Sequence, residues 1–153
     1  MHIRRGAARD RTFIRELSAR VFARFGNYET TLPVMAGRPE VYTLIVEADR
    51  ERIGFAMYSF EAPAAADLLA IAVLPEWQFH GAGKLLLDGV EAAVRDCVGE
   101  AVEASVRLSV AQDNIAGRRL FERCGYQYHP EEQGVYPGGQ LSIAMWKRLP
   151  GNA

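Results

Sequence analysis

The chain has 153 residues, 49% of them hydrophobic, and a formal net charge of −1. That is enough to bury one full core without metal or disulfide support, and the basic residues are dispersed, so a single domain over 1–153 with no general nucleic-acid footprint is expected. No apolar run reaches the ~18 residues of a membrane span, and the charged start MHIRRGAARDRTF lacks the apolar centre of a secretion signal, which points to a cytoplasmic protein with no membrane partner.

In chain order, HIRRG reads as a short edge strand. From Arg9 to Phe25, the residues Phe13, Ile14, Leu17, Val21, Phe22 and Phe25 recur at helical spacing and predict a first helix. Gly26, Pro33, Gly37 and Pro39 break that pattern, leaving NYETTLPVMAGRP as a loop or short helix, with Tyr28 a candidate substrate contact. VYTLIVEAD, RIGFAMYSFE and ADLLAIAVL are three β-rich runs, the first two joined by the polar turn DRER, and together predict an antiparallel meander.

Next comes PEWQFHGAGKLLLDGVEAAV. From Gly83 to Val98 an apolar stripe of helical period runs through Leu85, Leu86, Val90, Ala93, Val94 and Cys97, and SVRLSVAQ then alternates like a strand, so a β-α-β crossover is expected here. NIAGRRLFERCGY opens on the N-cap candidates Asp113 and Asn114 and closes on Gly125, which marks a second punctuated helix. YQYHP and GQLSIAMWKRL supply two last strands, with EEQGVYPGG as the long connection between them. Cys97 and Cys124 have no metal-type spacing and read as small buried hydrophobes.

Gly81 and Gly83 stand where an extended strand turns into a helix. Such a turn points free backbone N–H groups and the positive end of the helix dipole at one spot, which suits a phosphate. Glycines there remove the Cβ atoms that would hold a pyrophosphate off, and Gln78, His80 and Lys84 would add side-chain donors. The string is not a P-loop, because Lys84 precedes a leucine, and it lacks the third glycine of the dinucleotide fingerprint.

QFHGAG matches the Gln/Arg-x-x-Gly-x-Gly/Ala signature of the GNAT superfamily of N-acetyltransferases. AIAVLPEW before it resembles the family's fourth strand, and NIAGRRLFERCGY resembles its Asn-x-x-Ala-x-x-Leu-Tyr-x-x-x-Gly-Phe helix with the alanine shifted. The resemblance spans the chain from its first strand to IAMWKRL. It implies an α/β fold with a mixed, mostly antiparallel sheet of about seven strands flanked by about four helices. It also implies that acetyl-CoA is the cosubstrate, that no metal is used, and that the loop Gln78, Phe79, His80, Gly81, Ala82, Gly83 and Lys84 grips the pyrophosphate. The backbone of Ile71, Ala72 and Val73 would pair with the pantetheine arm like an added strand, in the gap left where the fourth strand bulges and splays from its neighbour. Asn114, Gly117, Phe121 and Arg123 would line the cofactor from the later helix, with Arg118 and Arg119 as further candidates for its phosphates.

Acetyl transfer from a thioester to an amine needs a neutral amine, a stabilised oxyanion and a thiolate that can leave. The resemblance assigns the oxyanion to the backbone N–H of Val73. It leaves the acid open, because Phe121 stands where many relatives carry a proton-donating tyrosine; Tyr126, Tyr128, His129 and Tyr136 are the nearby alternatives, or the thiolate leaves unassisted or through water. For the base, Asp67 aligns with an acidic residue of some relatives, Ser109 stands where others have a glutamate, and Glu61 and water relays compete. YPGGQLSIAMWKRL resembles the closing hairpin of peptide-acetylating relatives, which makes Tyr136 a candidate acceptor contact as well.

The expectation is therefore an N-acetyltransferase acting on a primary amine by direct attack in a ternary complex, as monomer or homodimer. A peptide or protein amine is placed narrowly ahead of a small-molecule amine. The alternatives are a non-catalytic acyl-CoA sensor or partner-binding module on the same fold, and an unrelated nucleotide-phosphate binder.

Overall fold

The strand-forming runs and helical stripes assemble into one seven-stranded sheet with four α-helices. In the computed structural model, which describes residues 1–152, the strands are β1 His2–Arg5, β2 Tyr42–Ala48, β3 Glu51–Ala62, β4 Ala65–Val73, β5 Ala104–Ala111, β6 Gln127–Val135 and β7 Leu141–Leu149. The helices are α1 Arg11–Val21, α2 Tyr28–Ala36, α3 Ala82–Val98 and α4 Ile115–Arg123. The sheet order is β1-β2-β3-β4-β5-β7-β6, with every neighbouring pair antiparallel except β4 and β5. Those two are joined by α3, the crossover a parallel pair requires. The DRER turn closes on Asp49 and Arg50, both left-handed (φ 50° and 67°), as a tight two-residue hairpin demands.

Two apolar layers hold the sheet. On one face α3 buries Leu86, Leu87, Val90 and Val94 completely against Val46, Ile53, Ala56, Val106 and Met145. At roughly 1.5–3 kcal/mol for each buried side chain, this stripe anchors the helix and with it the glycine loop at its start. On the other face α1 and α2 bury Ile14, Leu17 and Leu32 on Ile45, Phe55, Met57 and Ala72.

The structure departs from the expected boundaries in two places. The helix predicted over 9–25 is cut at both ends, by 3-10 turns at Ala8–Asp10 and Ala23–Phe25. Asp10 holds the first turn: fully buried, its carboxylate accepts from the Ala7 N–H at 2.7 Å and from the two Arg4 guanidinium nitrogens at 2.9 and 2.8 Å, with Arg52 Nε at 2.9 Å. The segment EEQGV, assigned from sequence to a connection, belongs to β6. Residues 130–132 bulge out after His129↔Ala144 and pairing resumes at Gln133↔Ile143, an arrangement that tolerates Pro130 on an edge strand.

The feature that makes room for a site is the parting of β4 from β5. They pair only over 65–68 against 105–108. Leu69 is then an extra residue in the β3–β4 ladder, between Tyr58↔Leu68 and Met57↔Ala70, and past this bulge β4 turns away from β5.

Candidate active site

Strand alternation decides which main-chain groups face the gap. The Leu74 N–H donates to the Ile53 carbonyl at 2.8 Å, so the amides of Leu74 and Ala72 point toward β3 and those of Ile71 and Val73 point the other way. Ile71 therefore offers its N–H and C=O, and Val73 its N–H, to the open side, the Val73 carbonyl being met by Gln78, whereas Ala72, expected to do the same, spends its groups on the ladder. On β5, Gln112 donates to the Leu141 carbonyl at 2.8 Å, which by the same alternation turns the main chain of Ser109 toward the gap.

Below the gap lies the loop into α3. Among the described residues, no protein acceptor meets the N–H groups of Phe79, His80, Gly81, Ala82, Gly83 and Lys84; the first helical bond is Leu85 N–H to the Gly81 carbonyl. A helix start leaves up to four such donors, and here the run is longer and has no side-chain cap. Gly81 is left-handed (φ 90°) with open space around it, the nearest atom to an added Cβ being Met1 Cε at 3.9 Å. Phe79 is also left-handed (φ 64°) and 84% exposed.

The side chains expected to assist the loop are placed differently. Gln78 Nε2 donates back to the Val73 carbonyl at 3.2 Å, the His80 ring sits on the Gln78 carbonyl at 2.8 Å, and Lys84 donates to Asp88 one turn along at 2.6 Å. Gly83 serves helix packing, since a Cβ there would lie 2.8 Å from Leu120 Cδ2 of α4. On α4 the Gly117 N–H donates to Asn114 Oδ1 at 3.0 Å, and a Cβ at 117 would come within 2.7 Å of Asn114 Nδ2, so this glycine makes room for the cap. Arg118 is held by Tyr128 Oη and the Gln112 carbonyl, both at 2.7 Å. Arg119 and Arg123, one turn apart on α4, have no carboxylate partner among the described residues.

A cavity of about 110 Å³ runs through the gap. Ile71, Val110, Asn114 and Phe121 line it toward α4, while Phe22, Phe25, Tyr28, Leu32 and Tyr136 line it on the α1–α2 side. Sequence reading counted Phe22 and Phe25 as helix core; the 3-10 turn ahead of Gly26 is what turns them to the cavity. Tyr136 reaches it from the β6–β7 loop, which is pinned to that turn by Gly138 N–H on the Phe25 carbonyl at 2.9 Å and Gln140 Nε2 on the Arg24 carbonyl at 2.7 Å. The Tyr136 hydroxyl donates to the Ser109 carbonyl at 3.3 Å, its ring is 5.2 Å from that of Phe25 and 6.5 Å from that of Tyr28, and burial pushes its phenol up to about 12.

Two residues assigned to the chemistry from sequence lie elsewhere. Tyr126 is buried under α3, packed on Phe121 with its hydroxyl on Glu91 Oε2 at 3.3 Å, and burial raises its phenol far beyond the ordinary range. It does not line the cavity. Asp67 sits where β4 and β5 are still paired, outside the cavity lining, with Arg107 at 3.9 Å. Burial first and a hydrogen bond with Glu61 second push its carboxyl up to about 6, against the pull of Arg107. Neither is retained as a catalytic group.

A sequence profile of the Acetyltransferase (GNAT) family matches residues 9–126. Among proteins of curated function, none matches closely enough to count as a relative. Solved structures share the whole fold. Ard1 from Thermoplasma volcanium is 20% identical with a TM-score of 0.79, over 97% of both chains. The ribosomal-protein-S18-alanine N-acetyltransferase from Escherichia coli is 21% identical with a TM-score of 0.80, over 99% of this chain and 96% of the other. An aminoglycoside 6′-N-acetyltransferase complexed with coenzyme A is 14% identical with a TM-score of 0.79, over 100% of both.

Proposed function

Because the chain belongs to the GNAT acetyltransferase family, with acetyl-CoA as acyl donor and an amine as acceptor, we propose that its acceptor is the α-amine of a polypeptide whose first side chain is small or apolar. The carrying observation is that, among the described residues, no charged side chain lines the cavity. A polycationic acceptor such as an aminoglycoside would be desolvated there without a carboxylate to pair with. An enclosed lysine fares little better: at pKa ~10.4 its amine costs roughly 4–5 kcal/mol to neutralise at pH 7, against about 1.4 kcal/mol for an α-amine near pKa ~8. With no base in the cavity, the acceptor that deprotonates most readily is favoured. The small cavity volume supports a short first side chain resting on Phe22, Phe25 and Tyr28.

In this reading the six free amides from Phe79 to Lys84 hold the pyrophosphate, supplemented by Arg119 and Arg123, and the main chain of Ile71 and Val73 holds the pantetheine arm as an added strand. The oxyanion falls to the Ile71 N–H, which faces the gap and lines the cavity, and not to Val73 as expected from sequence, since Val73 lies beyond the cavity lining toward the glycine loop; the role is worth ~3–4 kcal/mol where such donors have been removed. Cys97 is exposed and Cys124 half-buried, not the two buried hydrophobes expected from sequence, and both lie outside the cavity lining, which supports direct attack by the amine over a cysteine acyl-enzyme. The test is coenzyme A release with four acceptor sets: free N-terminal peptides, Nα-blocked lysine peptides, polyamines and aminoglycosides. Free N-terminal peptides are expected to lead in kcat/KM by tenfold or more, and a lead for any of the other three would overturn the assignment.

A further inference from the structure

Of the described residues lining the cavity, only Tyr28 and Tyr136 carry a side chain that titrates, and Ser109 adds one hydroxyl. Any proton that moves between protein and reactants inside the cavity must therefore pass through one of these or through water. Their positions separate them. Parallel pairing of β4 with β5 ends at Leu68↔Leu108, so Ser109 carries the first β5 carbonyl beyond it, at the apex of the gap. The Tyr136 hydroxyl occupies that carbonyl. Tyr28 stands behind it, its ring edge-on to those of Tyr136 and Phe22.

We propose that Tyr136, delivered by the β6–β7 hairpin, is the proton donor to the departing thiolate. The assignment rests on the acetyltransferase reading above. An acyl arm lying along Ile71 and Val73 has its reacting end at the apex, where the Tyr136 Oη stands. The hydroxyl is bound there by a single 3.3 Å contact, at the long end for an O–H donor, so a sulfur entering the gap can take its proton without breaking a strong bond. Burial raises the phenol, so its proton stays in place until negative charge has developed on the sulfur.

The step balances. The amine nitrogen forms a bond to the thioester carbon and the C–S bond breaks; the sulfur keeps the electron pair and takes the Tyr136 proton. The tyrosinate then recovers a proton from the newly acylated nitrogen, leaving an amide, a thiol and a neutral phenol.

The test compares wild type, Tyr136→Phe and a protein carrying a fluorinated, more acidic tyrosine at 136, each with the best acceptor the wild type accepts. Choosing the acceptor from the wild type separates the two claims: a mistaken acceptor class appears as wild-type preference, a mistaken donor as a variant with normal turnover. Tyr136→Phe is expected to lower kcat about 100-fold, the lower end for loss of a general acid, with acetyl-CoA affinity within twofold by calorimetric titration. The fluorinated protein is expected to lose kcat on the alkaline side at lower pH than wild type, a shift a packing role would not produce. Tyr126→Phe, outside the cavity, is the control and should keep kcat. Turnover of Tyr136→Phe within threefold of wild type, a change in acceptor KM alone, or an unmoved alkaline limb in the fluorinated protein would each overturn the assignment.

Discussion

Asp67→Asn should stabilise the protein in alkali and leave catalysis intact. In the folded chain the carboxyl rises from 3.8 to about 6, chiefly through burial and then through Glu61. A folded value above the unfolded one means that the ionised form is penalised, so stability is gained as pH falls through 6 and withheld above it. At roughly 1.4 kcal/mol for each pH unit, the penalty approaches about 3 kcal/mol at pH 8 and shrinks to well under 1 kcal/mol near pH 4. Its side chain is 18% exposed, so water screens little of this. Urea denaturation of wild type and Asp67→Asn at pH 8 and pH 4 should give a variant more stable by roughly 1–3 kcal/mol at the higher pH and nearly equal at the lower. An equal difference at both would refute the electrostatic account, and a kcat loss of 100-fold would restore Asp67 as a base.

Gly81→Ala meets no obstructing atom, so its cost should be that of an L-residue at φ 90°, about 1–2 kcal/mol by denaturation. Acetyl-CoA affinity should fall with it, because the strain is relieved by turning the loop amides; unchanged affinity by titration would show those amides uninvolved. Asp10→Ala leaves Arg4 and Arg52 facing an emptied pocket and should cost roughly 3 kcal/mol at pH 7, the low end for breaking a buried pair since both arginines keep some water. Arg4 holds the Asp10 carboxyl below the ordinary range, so this contribution is full above ~pH 4 and is lost as pH falls through the depressed folded value; denaturation at successively lower pH below ~4 should narrow the gap between wild type and variant, and a gap that stays constant would refute the ion-pair account.

What could be read from sequence was whatever local pattern determines. The stripe from Leu86 to Val94, the three strands of the meander and the glycine turn all depend on near neighbours, and the structure contains each of them. What could not be read depended on distant partners. Gly83 answers to Leu120 and Gly117 to the Asn114 side chain, so glycines that looked alike serve different ends. Tyr126 is nearer than Tyr136 to Phe121 along the chain, yet the turn at Gly125 buries it beneath α3, while pairing of β6 with β7 carries Tyr136 back to β5. The aromatic wall draws on α1, α2 and the last hairpin, and no single window contains it.

The division of labour at the gap bears on how such a chain tolerates change. On the side proposed for the acyl donor, Ile71 and Val73 present backbone, which every residue except proline supplies in full. Replacement of their side chains leaves those groups in place. On the side proposed for the acceptor, Phe22, Phe25, Tyr28 and Tyr136 present rings, and each substitution there would redraw the surface an amine meets. One half of the site is thus buffered against drift and the other exposed to it, so a lineage of such chains can change acceptors while its acyl donor stays the same.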